Sequence, residues 1–317
     1  MDTRPVILCP VDFTEASERV LPVAIRVARR YGARLVLQHD VIGVPPSNMG
    51  MVWMYQADER QHIEKLEAES SERMKALLAS LPSDVPLEAR LTRGPRTSCI
   101  LELALELPAA LLIIATHGTK NEEHSLVADR VVEEAPCPVL ALRADLPEGD
   151  RPEDHLFNEE ELIALVPVDF SLHSRKALAS AFDMVRKLKM KLHLLHLEPE
   201  KSWEDIKHIL KMPLTRHRQM RLDESDARLK ALVPADLAER VNCEVRVGQS
   251  SREAVAEAKN RRANLVVMGV HEKDALQKWI FGATSSRILS ESPCPVWFVS
   301  EKVPFDSRVT ADTAAPA

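Results

Sequence analysis

The chain has 317 residues, of which 45% are hydrophobic and 28% charged, and its formal net charge is −6. This length predicts two domains that can each bury a core. The acidic balance argues against binding to nucleic acid or to an anionic membrane surface, since both need concentrated positive charge. No apolar run approaches the roughly 18 residues of a membrane span, and the N-terminus lacks the apolar stretch of a secretory signal, so we expect a cytoplasmic protein.

The five cysteines are Cys9, Cys99, Cys137, Cys243 and Cys294. Their number is odd and they contain no CxxC pair. This usage is typical of buried, reduced thiols and argues against disulfides or a metal centre.

The first half of the chain alternates predicted strands and helices. An apolar run from Val6 to Val11 predicts a buried strand, Thr14 is placed to cap the next helix, and Gly32 is placed to end it. The further elements expected are a strand at 35–41, a charged helix at 57–81, a strand at 87–92, a helix at 97–107, a strand at 110–115, a helix at 126–134 and a strand at 139–142. Nearly continuous apolar strands between helices indicate a parallel sheet covered on both faces.

The same series of elements begins again at Leu162. The pairs Asp12 and Asp169, His39 and His196, and Cys137 and Cys294 are each 157 residues apart, and such a constant spacing indicates a tandem duplication. We expect domain 1 at 1–145, a Pro- and acid-rich linker at 146–160, domain 2 at 161–303 and a disordered tail at 304–317. The charged helix of domain 2 is expected at 202–233, with Pro213 breaking or kinking it.

Ligands of a parallel sheet bind beyond the carboxyl ends of its strands, where helix N-termini supply free N–H groups. Asp12 and Asp169 end the first strand of each half. Each carboxylate is placed either to contact a ligand or to hydrogen-bond the start of the next helix, and the sequence leaves both roles open. Four histidines, His39, His117, His196 and His271, also lie at strand ends. We interpret them as solvated rim side chains, since two per domain are too few for a zinc site.

Three motifs occur in both halves in the same order. They are Pro10–Thr14 and Pro167–Ser171, the Thr116-His117-Gly118 segment with its counterpart after the fourth strand of the second half, and Pro136–Val139 and Pro293–Val296. Together they resemble the universal stress protein family over nearly the full length of each half. The resemblance implies two tandem doubly wound α/β domains, each a five-stranded, mostly parallel sheet with helices on both faces, of the Rossmann-like, adenine-nucleotide-hydrolase-like type. It also implies an intrachain pseudo-dimer in which the last strands of the two domains pair, and a homodimer of such chains.

In nucleotide-binding members of that family, the loop after the fourth strand follows G-2x-G-9x-G-[S/T] and holds ATP phosphates. The resemblance implies that Asp12 or Asp169 contacts the adenosine part and that Gly94 or Gly248, after the third strand, lines the pocket. The four motif positions hold Ala115, Gly118, Ala128 and Asp129 in domain 1, and Gly269, Glu272, Gly282 and Ala283 in domain 2.

The spacing of the motif is kept, but its chemistry is altered in both domains. Asp129 and Glu272 place carboxylates where a phosphate chain would pass, and these repel a polyanion. Domain 2 keeps two glycines of the motif, and Thr284 and Ser285 offer hydroxyls beyond Gly282. Domain 2 is therefore the first candidate for ATP, and the domain 1 site at Asp12, Gly94 and Gly118 is the second.

The sequence contains no Ser–His–Asp, Cys–His, HExxH or Walker spacing. It therefore predicts a stress-response binding or regulatory module without robust catalysis. Two alternatives stay open. One is an adenine-nucleotide switch or slow ATPase that uses domain 2, and the other is a carrier of another small or lipid-like ligand.

Overall fold

A computed structural model describes residues 3–41, 57–116, 122–144, 156, 161–199, 214–248, 250–270, 283–300 and 302–303. The chain divides into two compact units, Met1–Asp145 and Leu146–Ala317, which are called domain 1 and domain 2 below. The predicted linker, except for Leu156, and the predicted tail lie outside the described residues.

Domain 1 is a parallel sheet whose strands alternate with helices. Its elements are β1 (Val6–Pro10), α1 (Glu15–Arg19), α2 (Leu21–Tyr31), β2 (Arg34–Asp40), α3 (Ala57–Ser80), β3 (Leu87–Thr92), α4 (Arg96–Glu106), β4 (Leu111–Thr116), α5 (Glu122–Glu134) and β5 (Val139–Arg143). The described strands lie in the order β3-β2-β1-β4-β5 and every neighbouring pair is parallel. The fold predicted for this half is confirmed.

Domain 2 repeats the topology of domain 1. Its elements are β6 (Leu162–Pro167), α6 (Leu172–Lys187), β7 (Met190–Glu198), α7 (Leu214–Lys230), a 3-10 helix (Ala235–Arg240), β8 (Val241–Val247), α8 (Ser250–Asn260), β9 (Leu265–Gly269), α9 (Ala283–Glu291) and β10 (Val296–Val299). The strand order β10-β9-β6-β7-β8 is again parallel throughout. Residues 200–213 lie outside the described residues, so the break or kink predicted at Pro213 stays a prediction.

Local sequence signals explain where the first helices begin and end. The Thr14 hydroxyl accepts a hydrogen bond from the Ser17 amide at 3.3 Å, and the Ser171 hydroxyl accepts one from the Ser174 amide at 3.1 Å. These are N-caps that satisfy amides without a partner inside the helix. Gly32, with φ 58°, ends α2 in the left-handed conformation that glycine adopts without steric cost.

The cysteines are free thiols, as predicted. Four of them are buried and Cys243 is half-buried. Burial raises the pKa of Cys9, Cys137 and Cys294 to about 12, so these thiols stay protonated and unreactive at neutral pH. No helix among the described residues is long and apolar enough to cross a membrane.

The strand order fixes where each domain can bind a ligand. In domain 1 the chain moves outward in one direction from β1 to β2 and β3, and in the other from β1 to β4 and β5. The helices that follow β1 and β4 leave from opposite faces at this switch point, so a crevice opens beyond the carboxyl ends of the two strands. Domain 2 has the corresponding crevice between β6 and β9.

Candidate functional site

Asp12 and Asp169 both hydrogen-bond the start of the next helix. Asp12 Oδ1 accepts from the Thr14 amide at 3.0 Å and from the Thr14 hydroxyl at 2.5 Å, and Asp169 Oδ1 accepts from the Ser171 amide at 2.9 Å. Burial raises the pKa of Asp12, but these hydrogen bonds outweigh it, so the net pKa lies below the ordinary value. The structural role left open by the sequence is thus observed in both domains, and it leaves Asp12 Oδ2 available to the crevice.

The crevice of domain 1 contains a small charged cavity of about 70 Å³. Its polar wall is formed by Asp12, Asp40 and Arg96, and the Arg96 guanidinium lies 3.8 Å from Asp12 Oδ2 and 3.8 Å from Asp40 Oδ2. Asp40 is held in place because its Oδ1 accepts from Thr92 Oγ1 and from Gln38 Nε2, each at 2.7 Å. The side chain of Asp40 is only 5% exposed. One half-exposed arginine therefore bridges two fixed carboxylates.

The rest of this cavity is apolar and carries two positions of the family's phosphate motif. Ala115 and Ala128 line it together with Ile100, Ile114 and Val127. No histidine, lysine or cysteine is among the lining residues that the structure describes. The lining hydroxyls of Thr14 and Ser17 take part in the helix cap. These two hydroxyls are therefore engaged within the helix cap.

Sequence reasoning missed Asp40 and Arg96. Their positions in the sequence were a usable signal. Asp40 is the last residue of β2, Asp12 follows β1 at the same edge of the sheet, and Arg96 is the first residue of α4. Register places Leu197 of β7 at the position of Asp40, and Ser250, the first residue of α8, corresponds to Arg96. The charged bridge of domain 1 is thus not repeated at these positions of domain 2.

Two of the three predicted glycines that the structure describes have a local reason to be glycine. Gly94 has φ 136°, a conformation that other residues rarely adopt. A Cβ at Gly269 would lie 2.2 Å from the carbonyl oxygen of His173 in α6. A Cβ at Gly248 would lie 2.7 Å from Cγ of Glu253, which belongs to a flexible side chain that can turn away. Conformation therefore accounts for Gly94 and packing for Gly269, and the role of the three glycines in ligand binding stays a prediction.

The other predicted positions of domain 2 are only partly described. Ala283, Thr284 and Ser285 form the first turn of α9, and Ser285 is buried. Gly118 and Gly282 lie outside the described residues, as do Glu272, His117 and His271. The ATP interpretation of domain 2 therefore stays a prediction.

A stack of three side chains adjoins the strand end in domain 1. Phe13 has a left-handed φ of 58°, which is uncommon for a non-glycine residue. Its ring lies 4.3 Å from the His39 ring, and the Arg73 guanidinium of α3 lies 4.2 Å from the Phe13 centroid. His39 Nδ1 lies 2.8 Å from the Val11 carbonyl oxygen.

Domain 2 repeats this stack closely. Phe170 has φ 61°, its ring lies 4.4 Å from the His196 ring, and Arg228 of α7 lies 4.2 Å from the Phe170 centroid. His196 is buried and its Nδ1 lies 2.7 Å from the Val168 carbonyl oxygen. The interpretation as a solvated rim side chain was wrong for His196, which is buried. His39 is half-buried, and its ring is held by Phe13 and the Val11 carbonyl oxygen.

A second polar cluster lies inside domain 2, away from the strand ends. His193 of β7 is 2% exposed, and its Nε2 lies 3.1 Å from Glu244 Oε2 of β8 and 3.5 Å from Glu257 Oε1 of α8. Arg246 and Arg261 each contact both carboxylates. The three ligand-type side chains lie close enough to hold a metal ion, but a cation would meet two guanidiniums that already balance the carboxylate charges. We interpret the cluster as a structural ion-pair network.

This network predicts a pH dependence of stability. Burial lowers the pKa of His193 below its usual 6.5, and Arg261 and Arg246 lower it further against the opposing effect of Glu244 and Glu257. The unfolded chain takes up a proton at this histidine more readily, so stability falls as the pH decreases from 6.5 towards the lower folded pKa. Urea unfolding of domain 2 between about pH 7.5 and pH 5.5 should show this loss in the native chain and less of it in His193→Val. Identical pH profiles for the two proteins would contradict the prediction.

Comparison with known proteins agrees with the fold and the repeat. The sequence model of the universal stress protein family matches residues 4–143 and 163–300. A universal stress protein of Thermus aquaticus is 31% identical over 140 residues, which is 43% of this chain and 97% of that protein. One of Methanocaldococcus jannaschii is 24% identical over 148 residues, 43% of this chain and 81% of that protein.

Solved structures extend the likeness to both domains. A universal stress protein from Archaeoglobus fulgidus superposes with a TM-score of 0.59 at 17% identity, covering 94% of this chain and 99% of that one. A putative universal stress protein from Pseudomonas aeruginosa gives a TM-score of 0.56 at 16% identity, covering 94% of each chain. At this identity the likeness concerns the fold alone. The two matches of the family's sequence model together span most of the chain, which therefore belongs to the universal stress protein family as a tandem, two-domain member.

Proposed function

We propose that this chain is a stress-response binding and regulatory module whose ligand occupies the crevice of domain 1, without robust catalysis. The observation that carries the proposal is the cavity in which Arg96 bridges the carboxylates of Asp12 and Asp40. It lies at the switch point of the strand order, where open α/β sheets bind ligands. Its lining offers hydrogen-bond acceptors and apolar contacts but no paired nucleophile and base.

The charges of the cavity favour a ligand without a phosphate chain. Two carboxylates and one guanidinium leave one net negative charge, which repels a polyphosphate and accepts hydrogen bonds from hydroxyl or amino groups. Carboxylates read ribose hydroxyls in this way in other α/β folds. A nucleoside, or another small molecule with hydroxyl or amino donors and an apolar part, therefore fits this site better than ATP.

An ATP-responsive switch in domain 2 is the second candidate. The first turn of α9 carries Thr284 and Ser285, and helix N-termini of this kind bind anions. Two features oppose it. Gly269 has a packing requirement of its own against His173, and Glu272 adds a negative charge to the motif.

Calorimetric titration of the full chain with adenosine and with ATP and Mg²⁺ tests the first candidate. We expect saturable binding of adenosine that is at least as tight as that of ATP. Replacing Asp40 by leucine, the residue that domain 2 has at this position, should abolish it. The control is Glu67→Gln, because Glu67 is paired with Arg93 outside the crevice and its loss should leave binding unchanged. Tighter binding of ATP that is lost in Gly282→Asp would instead favour the switch in domain 2.

The proposal includes a cytoplasmic location and a homodimer of tandem chains. The homodimer follows from the family resemblance, and the location keeps the expectation drawn from the sequence. Sedimentation equilibrium of the purified chain measures the second directly, and a monomer at all concentrations would remove it.

A further inference from the structure

Domain 2 contains a second cavity that lies between the end of β7 and helix α7. Its volume is about 200 Å³. The charged groups that line it are Asp169, Glu198, Arg221, Glu224 and Arg228. Phe170, His196, Pro199 and Ser225 form the rest of the wall that the structure describes.

This cavity lies on the opposite face of the sheet from the family's nucleotide crevice. Side chains alternate between the two faces along a strand. In domain 1, Asp40 faces the crevice together with Arg96 of α4, and Leu197 has the same register in domain 2. His196 and Glu198 flank Leu197 and therefore point the other way, towards α7. His193 is an even number of residues before Leu197 and therefore lies on the same face of β7. It contacts Glu257 of α8, the counterpart of α4, which agrees with this assignment of the two faces.

Glu198 is the buried anchor of the cavity. It is 5% exposed, its Oε1 accepts a hydrogen bond from the Ser225 hydroxyl, and the same oxygen lies 3.4 Å from His196 Nε2. Its Oε2 lies 3.7 Å from an Arg221 Nη2, which is longer than the roughly 2.7–3.2 Å of a hydrogen bond. An ionised carboxylate oxygen can accept more than one hydrogen bond, so Oε2 is the natural contact for a donor group of a ligand in the cavity.

Two of the five charged groups that line the cavity, Glu198 and Arg221, are specific to domain 2. The repeat places Val41 of domain 1 at the position of Glu198, 157 residues away, and Leu66 at that of Arg221, 155 residues away. The spacing of 155 residues is supported by Arg73 and Arg228, which are also 155 residues apart and contact the corresponding rings of Phe13 and Phe170. Ser70 corresponds to Ser225, and both serines are buried. The two domains therefore share the same arrangement of strand and helix here, and the Glu198–Arg221 ion pair of domain 2 replaces Val41 and Leu66 of domain 1.

The mixture of charges selects the class of ligand. The three carboxylates would repel a simple anion, and a simple cation would leave the two guanidiniums without a partner of opposite charge in the ligand. A molecule with both signs satisfies both sets, because its ammonium group can donate to Glu198 Oε2 and its carboxylate can accept from Arg221. A volume of about 200 Å³ is enough space for a small molecule of this kind. We propose that this cavity binds a small zwitterion of the free α-amino-acid class.

The test is a thermal-shift screen of the full chain with free L-α-amino acids at millimolar concentration, followed by calorimetric titration of those that stabilise it. We expect saturable binding of at least one amino acid. For each binder, the amine that lacks the carboxylate and the hydroxy acid that lacks the amine should bind at least about tenfold more weakly, because each loses one charge-assisted contact.

Two variants connect such binding to the cavity. Glu198→Gln keeps the size and the acceptor oxygen of the side chain, and Arg221→Gln changes an exposed residue, so both should fold, which circular dichroism checks. Each should weaken binding by about tenfold or more. Asp226→Asn is the matched control, since Asp226 lies on the same helix, pairs with Lys230 at 2.7 Å and does not line the cavity.

Asp40→Leu in domain 1 should leave amino-acid binding unchanged, which separates this proposal from the one for the crevice. The proposal is overturned if no amino acid binds saturably, if the amine and the hydroxy acid bind as tightly as the amino acid, or if the Glu198 and Arg221 variants bind like the native chain.

Discussion

Replacing Gly269 by alanine is expected to unfold domain 2 or to lower its free energy of unfolding by about 3 kcal/mol or more, at the upper end of overpacking effects. The added Cβ would lie 2.2 Å from the His173 carbonyl oxygen and 2.4 Å from its carbonyl carbon. Both atoms belong to the backbone of α6, so no side-chain rotation can relieve the contact. Urea unfolding, together with hydrogen–deuterium exchange of β9 and β10, measures the loss in this domain.

Gly248→Ala is the matched control for Gly269→Ala. Its Cβ would lie 2.7 Å from Cγ of Glu253, a side chain that can turn away, so we expect a change below about 1 kcal/mol. Domain 1 already has alanine at the position of Gly269, namely Ala115. If Gly269→Ala were as stable as the native chain, the close approach of α6 and β9 would be wrong, and a ligand role for this glycine would regain support.

Removing Glu257 alone is expected to destabilise domain 2 by about 2–3 kcal/mol. The loss of one partner in a buried ion pair costs about 3–5 kcal/mol. We expect less here because Arg246 and Arg261 are 37% and 35% exposed and can turn to solvent. Burial raises the pKa of Glu257, but hydrogen bonds from Arg261 and Arg246 outweigh it, so the folded state holds this carboxylate ionised. The unfolding free energy of Glu257→Ala at pH 7 measures the effect.

The double variant His193→Val with Glu257→Leu is the control for this prediction. It introduces the residues that domain 1 has at the corresponding positions, Val36 and Leu103, both of which are buried. Apolar replacements of buried ionic groups are often neutral or stabilising, so the double variant should be more stable than Glu257→Ala. Additive destabilisation by the two changes would show that the polar network itself stabilises the domain.

The fold could be predicted from the sequence because its signals are local and repeated. The strand at 87–92 was predicted with its observed bounds, and Thr14 and Gly32 act as the cap and the end of their helices as expected. Apolar runs, capping residues and a constant spacing each report on the backbone near them in the chain.

The sites were harder to predict because they join residues that are distant in the chain. Arg73 of α3 contacts Phe13, which precedes α1. Arg96 contacts Asp40 only because α4 packs beside β2. The hydrophobic periodicity of the sequence does not indicate contacts between residues that are so far apart in the chain. Gly269 shows that one residue can satisfy two explanations, since the family spacing predicts a phosphate contact and the close backbone of His173 also requires a glycine.

The most direct test of the account is native mass spectrometry of the full chain with equal concentrations of adenosine and of ATP with Mg²⁺. We predict one adenosine bound per chain and its loss in Asp40→Leu. The spectrum should show no ATP adduct of comparable intensity. A dominant ATP adduct that persists in Asp40→Leu would contradict the assignment of the ligand site to the Asp12, Asp40 and Arg96 cavity of domain 1.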